Sequence, residues 1–254
     1  MRHSAPTRAE DPGRDASDAR ESGVPEAFDQ SEFRFWNAGA LAASDADGVQ
    51  VARSGAALTG IGRLRYAMFI AQAGKKYPSA DTVAGTFIDP VDRYSLNLHV
   101  TRAGRCLVGC RLTRAEPALA DPQLAALAAH AGLAASSLPA IAFNSRLVLA
   151  SGFGARAWLV PIFRHLYRIG VLSGLAWSVA GTRPALFPLF ERFGFRPTGE
   201  VYQDPVAGPL QPMMLDSRDR AHMVRVNSPL LAEHDRIFGH RASRPTPPIP
   251  EPLR

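Results

Sequence analysis

The stretch that decides the fold reads Asn144-Ser-Arg-Leu-Val-Leu-Ala150, then Gly152-Phe-Gly154, and, after an amphipathic segment, Leu175-Ala-Trp-Ser-Val-Ala180 and Phe190-Glu-Arg-Phe-Gly-Phe195. Its periodicity predicts a strand, a glycine turn, a helix, a second strand and a second helix that stops at Gly194. Where a strand end opens beside a helix N-terminus, free backbone N–H groups hold an anionic or pantetheine-like ligand. We therefore expect the ligand-binding opening of the sheet in this unit.

The chain has 254 residues, of which 46% are apolar, enough for one domain with a buried core. Residues 1–30 lack periodic apolar positions, which predicts a disordered tail. We expect a single domain over residues 31–240 and a loose Pro-rich tail over 241–254. No run matches a signal-peptide core or a membrane span, so we expect no integral membrane segment and a cytoplasmic location. Cys106 and Cys110 lie on one predicted strand, too far apart to form a disulfide, which fits a reducing compartment.

The charge is unevenly distributed along the chain. Lys and Arg outnumber Asp and Glu by 29 to 23, giving +6, but residues 1–30 alone carry −3, so the remainder carries +9. A basic body favours an acidic partner, such as an acyl carrier protein, a phosphorylated cofactor, a membrane surface or nucleic acid. The arginine bias is equally well explained by GC-rich coding. No zinc-type spacing or helix-turn-helix pattern accompanies the charge, so we expect neither a nucleic-acid partner nor a bound metal.

Polar side chains cluster in the first half of the predicted domain. Apolar spacing predicts a helix from about Leu58 to Gly74 that carries Arg65 and Phe69 on one face. The acids of Asp89-Pro-Val-Asp92 precede a predicted hairpin formed by residues 95–101 and 106–113. Two carboxylates at a sheet edge can bind a substrate amine or hold an arginine, and Arg111 on the returning strand is a natural partner. A simple surface turn at the aspartates, and a solvated Arg65, remain open on the pattern alone.

The second half of the chain gives less regular signals. Asp121-Pro predicts a helix start that continues to about Leu133, and Pro161 places the next helix start near Val160 or kinks it there. Residues 198–203 and 211–216 predict two closing strands, and residues 222–240 predict one more helix.

The order of these features resembles a known group. Arg65 and Phe69, Asp89-x-x-Asp92, Gly109-Cys-Arg111-Leu, Ser145-Arg146-Leu and Leu189-Phe-Glu-Arg-Phe-Gly-Phe195 resemble the N-acyl amino acid synthases and the acyl-homoserine-lactone (autoinducer) synthases of the GNAT superfamily. The resemblance covers about residues 58–216. It implies an α/β (α+β) fold with a mixed, splayed central sheet of about six to seven strands flanked by helices. It also implies an acyl thioester bound in the opening after the strand at 144–150 and an amine acceptor on the opposite side.

The resemblance also assigns roles to residues. In the autoinducer synthases the positions of Arg65, Phe69, Asp89, Asp92, Arg111 and Arg146 form the acceptor-side polar cluster. Two departures stand against a homoserine-lactone product, because Phe143 replaces an acid three residues before the strand arginine and no tryptophan follows Phe69. On the donor side we expect backbone N–H groups around Leu149 to Ser151 to polarise the thioester carbonyl, with Gly152 and Gly154 in the donor loop. Asp89 or Asp92 is the expected base, and His99 is a second candidate.

The resemblance implies an N-acyltransferase that moves a medium or long acyl chain from an acyl-carrier-protein thioester to the amine of an amino acid or related small molecule. The donor loop lacks the spacing usual for acetyl-CoA binding, which favours the phosphopantetheine of a carrier protein. An acyl-CoA-dependent enzyme and a catalytically silent binding module on the same scaffold are the alternatives.

Overall fold

The computed structural model describes residues 30–239, so the predicted tails lie outside the described residues. Helices occupy Ala38–Ala46 (α1), Gly55–Arg65 (α2), Ala115–Ala118 (α3), Pro122–His130 (α4), Phe153–Arg156 (α5), Leu159–Leu172 (α6), Phe187–Phe193 (α7), Arg220–Arg225 (α8) and Leu231–Phe238 (α9). Strands occupy Gln50–Val51 (β1), Ala80–Asp81 (β2), Thr86–Phe87 (β3), Ser95–Arg102 (β4), Arg105–Arg114 (β5), Ile141–Leu149 (β6), Trp177–Thr182 (β7), Arg196–Pro197 (β8), Tyr202–Asp204 (β9) and Gly208–Asp216 (β10). Short 3₁₀ segments lie at Gln30–Phe35, Pro90–Tyr94, Ala135–Ala140 and Pro184–Leu186.

A mixed sheet organises the described residues. Its strands follow the order β1-β4-β5-β6-β7-β10-β8, and β9 pairs with the outer half of β10. All neighbours are antiparallel except β6 and β7, which are parallel. This arrangement confirms the expected mixed sheet flanked by helices. The sheet has eight strands rather than the expected six to seven, because β1 adds an edge strand and the C-terminal part supplies β8, β9 and β10.

The sheet is splayed at its only parallel pair among the described residues. β6 and β7 pair only from Ile141 to Phe143, opposite Trp177 to Val179. Beyond this point six residues of β6 and three of β7 continue without pairing to each other. The gap therefore begins at Asn144, the residue at which the fold-deciding stretch begins.

Two apolar layers hold the sheet. On one side α6 contributes Ile162, Phe163 and Ile169 to the larger core, in which Phe163 stacks on Phe193 with ring centroids 4.2 Å apart. On the other side α4 packs Leu124 and Leu127 into a second core that includes Phe143 and Val179. Burial of these side chains against both faces fixes the strand register, because a slip of one residue would exchange the two faces.

Several local predictions are confirmed. The hairpin forms from β4 and β5, and Asp121 caps α4 by accepting hydrogen bonds from the N–H groups of Gln123 (2.8 Å) and Leu124 (3.1 Å). Pro161 sits in the first turn of α6, where its missing N–H has no helical acceptor. Gly194 ends α7 with φ 103°, a conformation that favours glycine.

Other element boundaries were wrong. The early helix begins at Gly55 and continues past Arg65 as a π-helical segment, Tyr66–Gln72. α4 ends at His130 rather than near Leu133. Of the strand predicted at 198–203, only residues 202 and 203 are in a strand, β9, while residues 198–201 connect β8 to β9. The last helix is two helices, α8 and α9, separated by a turn after Arg225. Within residues 30–239, no helix is long and apolar enough to cross a membrane.

Candidate active site

A buried network of arginines and aspartates lies beside the splay. Arg65 Nη1 donates to Asp92 Oδ2 at 2.7 Å, and Arg111 Nη1 donates to Asp89 Oδ2 at 2.8 Å. Arg146 Nε donates to the same Asp89 oxygen at 2.7 Å. Arg65 and Arg111 are only 0% and 1% exposed. The structure thus brings together all five residues that the sequence proposed as catalytic, and the aspartates hold arginines rather than forming a surface turn.

Local structure explains how these side chains meet. The Pro90–Tyr94 turn folds Asp92 back, so that Asp92 Oδ2 accepts the N–H of Asp89 at 2.7 Å and both carboxylates point inward. Arg65 is the last residue of α2 and reaches Asn97 Oδ1 on β4 at 2.8 Å. Arg111 on β5 donates through Nε to Ser145 Oγ on β6 at 2.9 Å. The network therefore ties the early helix to three elements of the sheet.

The electrostatics of this network do not suit a general base. Burial alone would raise the pKa of Asp89, but the guanidinium groups of Arg146 and Arg111 outweigh it and hold that pKa well below its usual range. Both Asp89 oxygens are occupied, since Ser79 Oγ donates to Oδ1 at 2.7 Å. Asp92 is 1% exposed and is surrounded by Arg65, Arg111 and the Asp89 N–H. We conclude that the two aspartates position the arginines.

A bulge in β6 turns Arg146 toward the network. Gly109 pairs with Val148 and Arg111 with Ser145, so three steps along β6 match two along β5. Arg146 has φ 53°, the left-handed conformation that a bulge residue adopts at a cost for a non-glycine residue. Since β7 no longer pairs here, the backbone at Arg146 and Leu147 has no partner residue in either neighbouring strand.

This finding corrects part of the donor-side expectation. The N–H of Ala150 donates to the carbonyl oxygen of Leu107 at 2.7 Å. That group is therefore unavailable to polarise a thioester. The unpaired backbone lies three to four residues earlier, at the bulge, because the extra residue disrupts the ladder there.

The splay opens into a cavity of about 540 Å³, within the range typical of small-molecule sites. One wall is the unpaired part of β6 from Asn144 to Leu149, and the facing wall includes Ala180 to Arg183. The apolar lining includes Met68, Phe69, Leu147, Leu149, Leu159, Leu186, Leu189 and Phe190. The polar lining includes Lys75, Tyr77, Gln123, Arg146, Tyr202 and Asp204. The cavity is thus amphipathic, with Arg146 contributing a charged group.

The polar lining is joined to the arginine network by hydrogen bonds. Arg146 Nη2 donates to Gln123 Oε1 at 2.7 Å, and Gln123 Nε2 donates to both Asp204 oxygens at 3.0 Å. The Arg146 guanidinium also stacks on Tyr77, 4.6 Å from the ring centroid. Sequence reasoning missed Tyr77, Gln123 and Asp204. No spacing in the sequence links these residues, which come from a loop, α4 and β9.

The remaining proposed site residues are divided. Phe69 and Leu149 line the cavity. Phe143 is fully buried and packs in the core on the α4 side of the sheet. His99 forms a hydrogen bond with Thr101 at 3.1 Å, and burial lowers its pKa. Neither residue lines the cavity. Ser151, Gly152 and Gly154 lie past the end of β6 and are also absent from its lining. Their roles in binding remain predictions.

The cysteines are not suited to nucleophilic catalysis. Burial raises the pKa of the Cys106 thiol to about 11 and that of Cys110 to about 12. Because the thiolate is the nucleophile, both side chains are unreactive near neutral pH. Across residues 30–239, no cluster of three or more His, Cys, Asp or Glu side chains is arranged to hold a metal ion.

Comparisons with known proteins identify the fold. No protein-family model matches the sequence, and no curated protein matches it. Among solved structures, the CoA-dependent acyl-homoserine lactone synthase BjaI with SAM and isopentyl-CoA is similar, with a TM-score of 0.54 and 21% identity over 76% of this chain and 87% of that one. TofI, solved in a ternary complex with an inhibitor and MTA, matches with a TM-score of 0.54 and 17% identity over 71% and 95% of the two chains.

The N-acyl amino acid synthase FeeM, from uncultured soil microbes, matches with a TM-score of 0.54 and 12% identity over 70% of this chain and 95% of that chain. These likenesses show that the chain has the GNAT-like fold of acyl-homoserine lactone synthases and N-acyl amino acid synthases. The splayed parallel pair opens the sheet along the strand that the sequence predicted at 144–150.

Proposed function

We propose that this protein is an N-acyltransferase that moves an acyl chain from a thioester donor to the amine of an amino acid or related small molecule. The observation that carries the proposal is the position of the β6 bulge. The unpaired backbone of Arg146 and Leu147 lines the cavity that has both the apolar and the polar side chains. A thioester carbonyl placed there has its acyl chain in apolar surroundings and its reacting carbon near polar groups.

The apolar lining suits a medium or long acyl chain. Burial contributes about 0.8 kcal/mol per methylene group, and the leucines of β6, α6 and the α7 region line the cavity continuously with the bulge. An unpaired N–H at the bulge would stabilise negative charge on the carbonyl oxygen as the amine attacks, because a fixed donor in a dry site needs no reorganisation. Because desolvation raises the pKa of both thiols, direct attack by the amine is favoured over an acyl-enzyme.

We propose an acyl carrier protein as the donor, with acyl-CoA as the second candidate. Gly152, with φ 114°, leads into the four-residue helix α5, and the long helix α6 begins only at Leu159. This arrangement gives few amides for a pyrophosphate, whereas the single phosphate of phosphopantetheine needs fewer. Arg156 and Arg183 line the cavity and are exposed, so they could meet a phosphate or an acidic carrier surface. Arg164 and Arg168 are instead engaged with Pro229 and Glu233.

The test is to incubate the protein with acyl carrier proteins, or with CoA, bearing chains of graded length and with a pool of amino acids, and to seek N-acyl products by mass spectrometry. We expect products, with higher turnover from the carrier protein. Arg146→Lys should lower kcat/KM about 10-fold or more, because it loses charge-assisted hydrogen bonds worth about 1.5–3 kcal/mol each. The exposed Arg93→Lys is the matched control. Absence of product with every donor would refute the proposal and favour a silent binding module.

A further inference from the structure

Asp204 differs from the other buried acids at the site. It is 5% exposed, like Asp89, yet no Lys, Arg or His among residues 30–239 lies within ion-pair distance of it. A carboxylate removed from water without a counter-charge is costly, and such groups are normally paired. Asp204 therefore has no side-chain counter-ion among the described residues.

The hydrogen bonds of Asp204 leave one oxygen able to accept more. Oδ1 accepts the N–H groups of Val206 at 2.8 Å and Ala207 at 2.6 Å, and it shares Gln123 Nε2. Oδ2 accepts only from Gln123 Nε2. Each carboxylate oxygen has about two lone-pair sites. Asp204 is also the only carboxylate among the residues that line the 540 Å³ cavity, so the free capacity belongs to a group beside that space.

An unpaired positive charge lies at the same place. Lys75 lines the cavity and donates from Nζ to the carbonyl oxygen of Ala207 at 3.1 Å, the residue whose N–H binds Asp204. No carboxylate of the described residues forms an ion pair with Lys75. The backbone of Ala207 thus contacts both Asp204 and Lys75, neither of which has an ion-pair partner among the described residues. This arrangement matches a ligand that carries a positive and a negative charge a few bonds apart.

We propose that Asp204 and Lys75 are the two charges that bind the acceptor, Asp204 holding its ammonium group and Lys75 its carboxylate. This inference rests on the proposed acyl transfer and names the residues that select a zwitterionic acceptor. Gln123 links Asp204 to the Arg146 guanidinium, so an amine bound to Asp204 is three hydrogen bonds from that side chain. The ammonium group first loses one proton to solvent through Asp204. The resulting amine nitrogen then bonds to the thioester carbonyl carbon and the C–S bond breaks. The nitrogen loses a second proton, which the departing thiolate takes up to leave as a thiol.

Ligand binding tests the assignment without requiring turnover. Each of the twenty standard amino acids is titrated calorimetrically in three forms: free, as the methyl ester, which lacks the carboxylate charge, and N-acetylated, which lacks the ammonium. We expect the full-length wild type to bind at least one free amino acid about tenfold more tightly than either derivative, a difference of about 1.4 kcal/mol. Lys75→Met should abolish the preference over the ester, and Asp204→Asn the preference over the N-acetyl form.

Lys76→Met and the exposed Glu200→Gln serve as matched controls and should change neither preference. Thermal unfolding of each variant checks that it folds; if Asp204→Asn does not, Asp204→Glu should retain the preference over the N-acetyl form. Preferences retained in both Lys75→Met and Asp204→Asn, or no amino acid bound by the wild type, would overturn the inference. If acyl products form and neither variant changes the KM for the amino acid, the inference fails and the proposed function stands. If binding depends on both residues but no donor yields product, the proposed function fails and the binding site stands.

Discussion

Replacing Asp92 with Asn removes one negative charge from between two buried arginines. Asp92 Oδ2 accepts Arg65 Nη1 at 2.7 Å, and its other oxygen faces Arg111 Nη1 at 3.4 Å. The asparagine oxygen can still accept from Arg65, but it no longer offsets the guanidinium charge, and Arg65 Nε already has no partner among the described residues. Breaking a buried ion pair by removing one partner costs about 3–5 kcal/mol, because the remaining charge stays desolvated.

For a chain of this size, 1 kcal/mol shifts Tm by roughly 2–4 °C, so we expect Asp92→Asn to lower Tm by about 6–20 °C. Urea denaturation followed by circular dichroism gives the corresponding loss in the free energy of unfolding. The matched control is Asp45→Asn, because Arg53 Nη1 lies 2.6 Å from Asp45 in a pair whose side chains are 42% and 34% exposed. An exposed pair is worth about 0–1 kcal/mol. Equal losses in the two variants would refute the argument that burial makes the Asp92 charge essential.

Three further outcomes are expected. Asp89 has a pKa in the folded state below its usual value, so its charge stabilises the fold at pH values above the unfolded-state pKa of about 3.9, and this contribution is lost as the pH falls further. In Asp89→Asn, the free energy of unfolding should therefore fall less steeply below about pH 4 than in the wild type. Parallel pH profiles of the two proteins would contradict this. Gly194→Ala should destabilise the protein by about 1–2 kcal/mol because φ is 103°, whereas Gly60→Ala, in open space on α2, should stabilise it by about 0.5–1 kcal/mol in the same urea experiment. Leu189→Trp should reduce kcat/KM roughly fourfold for each methylene group of the donor that no longer fits, at about 0.8 kcal/mol each. The control is Leu119→Trp, at a partly exposed position outside the cavity lining, which should leave the dependence of kcat/KM on acyl-chain length unchanged. The same dependence in Leu189→Trp as in the wild type would show that the acyl chain binds elsewhere.

Much of the arginine–aspartate network was predictable because its members carry strong local signals. Asp89 and Asp92 flank a proline turn, and Arg111 follows on a hairpin whose register is set by alternation. The resemblance then added Arg65 and Arg146. The burial of Arg65 was not predictable, since a helix-end arginine is usually solvated and only the packing of α2 against β3, β5 and β6 removes it from water.

The cavity's polar residues required the tertiary structure. Gln123 comes from the first turn of α4, Tyr77 from a loop and Asp204 from the end of β9. Each is ordinary in its local sequence, and each would be interpreted as a cap, core or turn residue. Their common function depends on distances between segments more than 45 residues apart, which no local pattern encodes.

Residues 144–195 by themselves determined the order of strand, glycine turn, helix, strand and helix. This was possible because apolar periodicity and glycine positions act locally. The tertiary structure alone decided that the opening is a bulge at Arg146 combined with a parallel pair that separates after Phe143. Only the pairing of β6 with both of its neighbours determines which backbone groups remain unpaired. The tertiary structure also decided which charged side chains line the cavity that results: Lys75, Arg146, Arg156, Arg183 and Asp204.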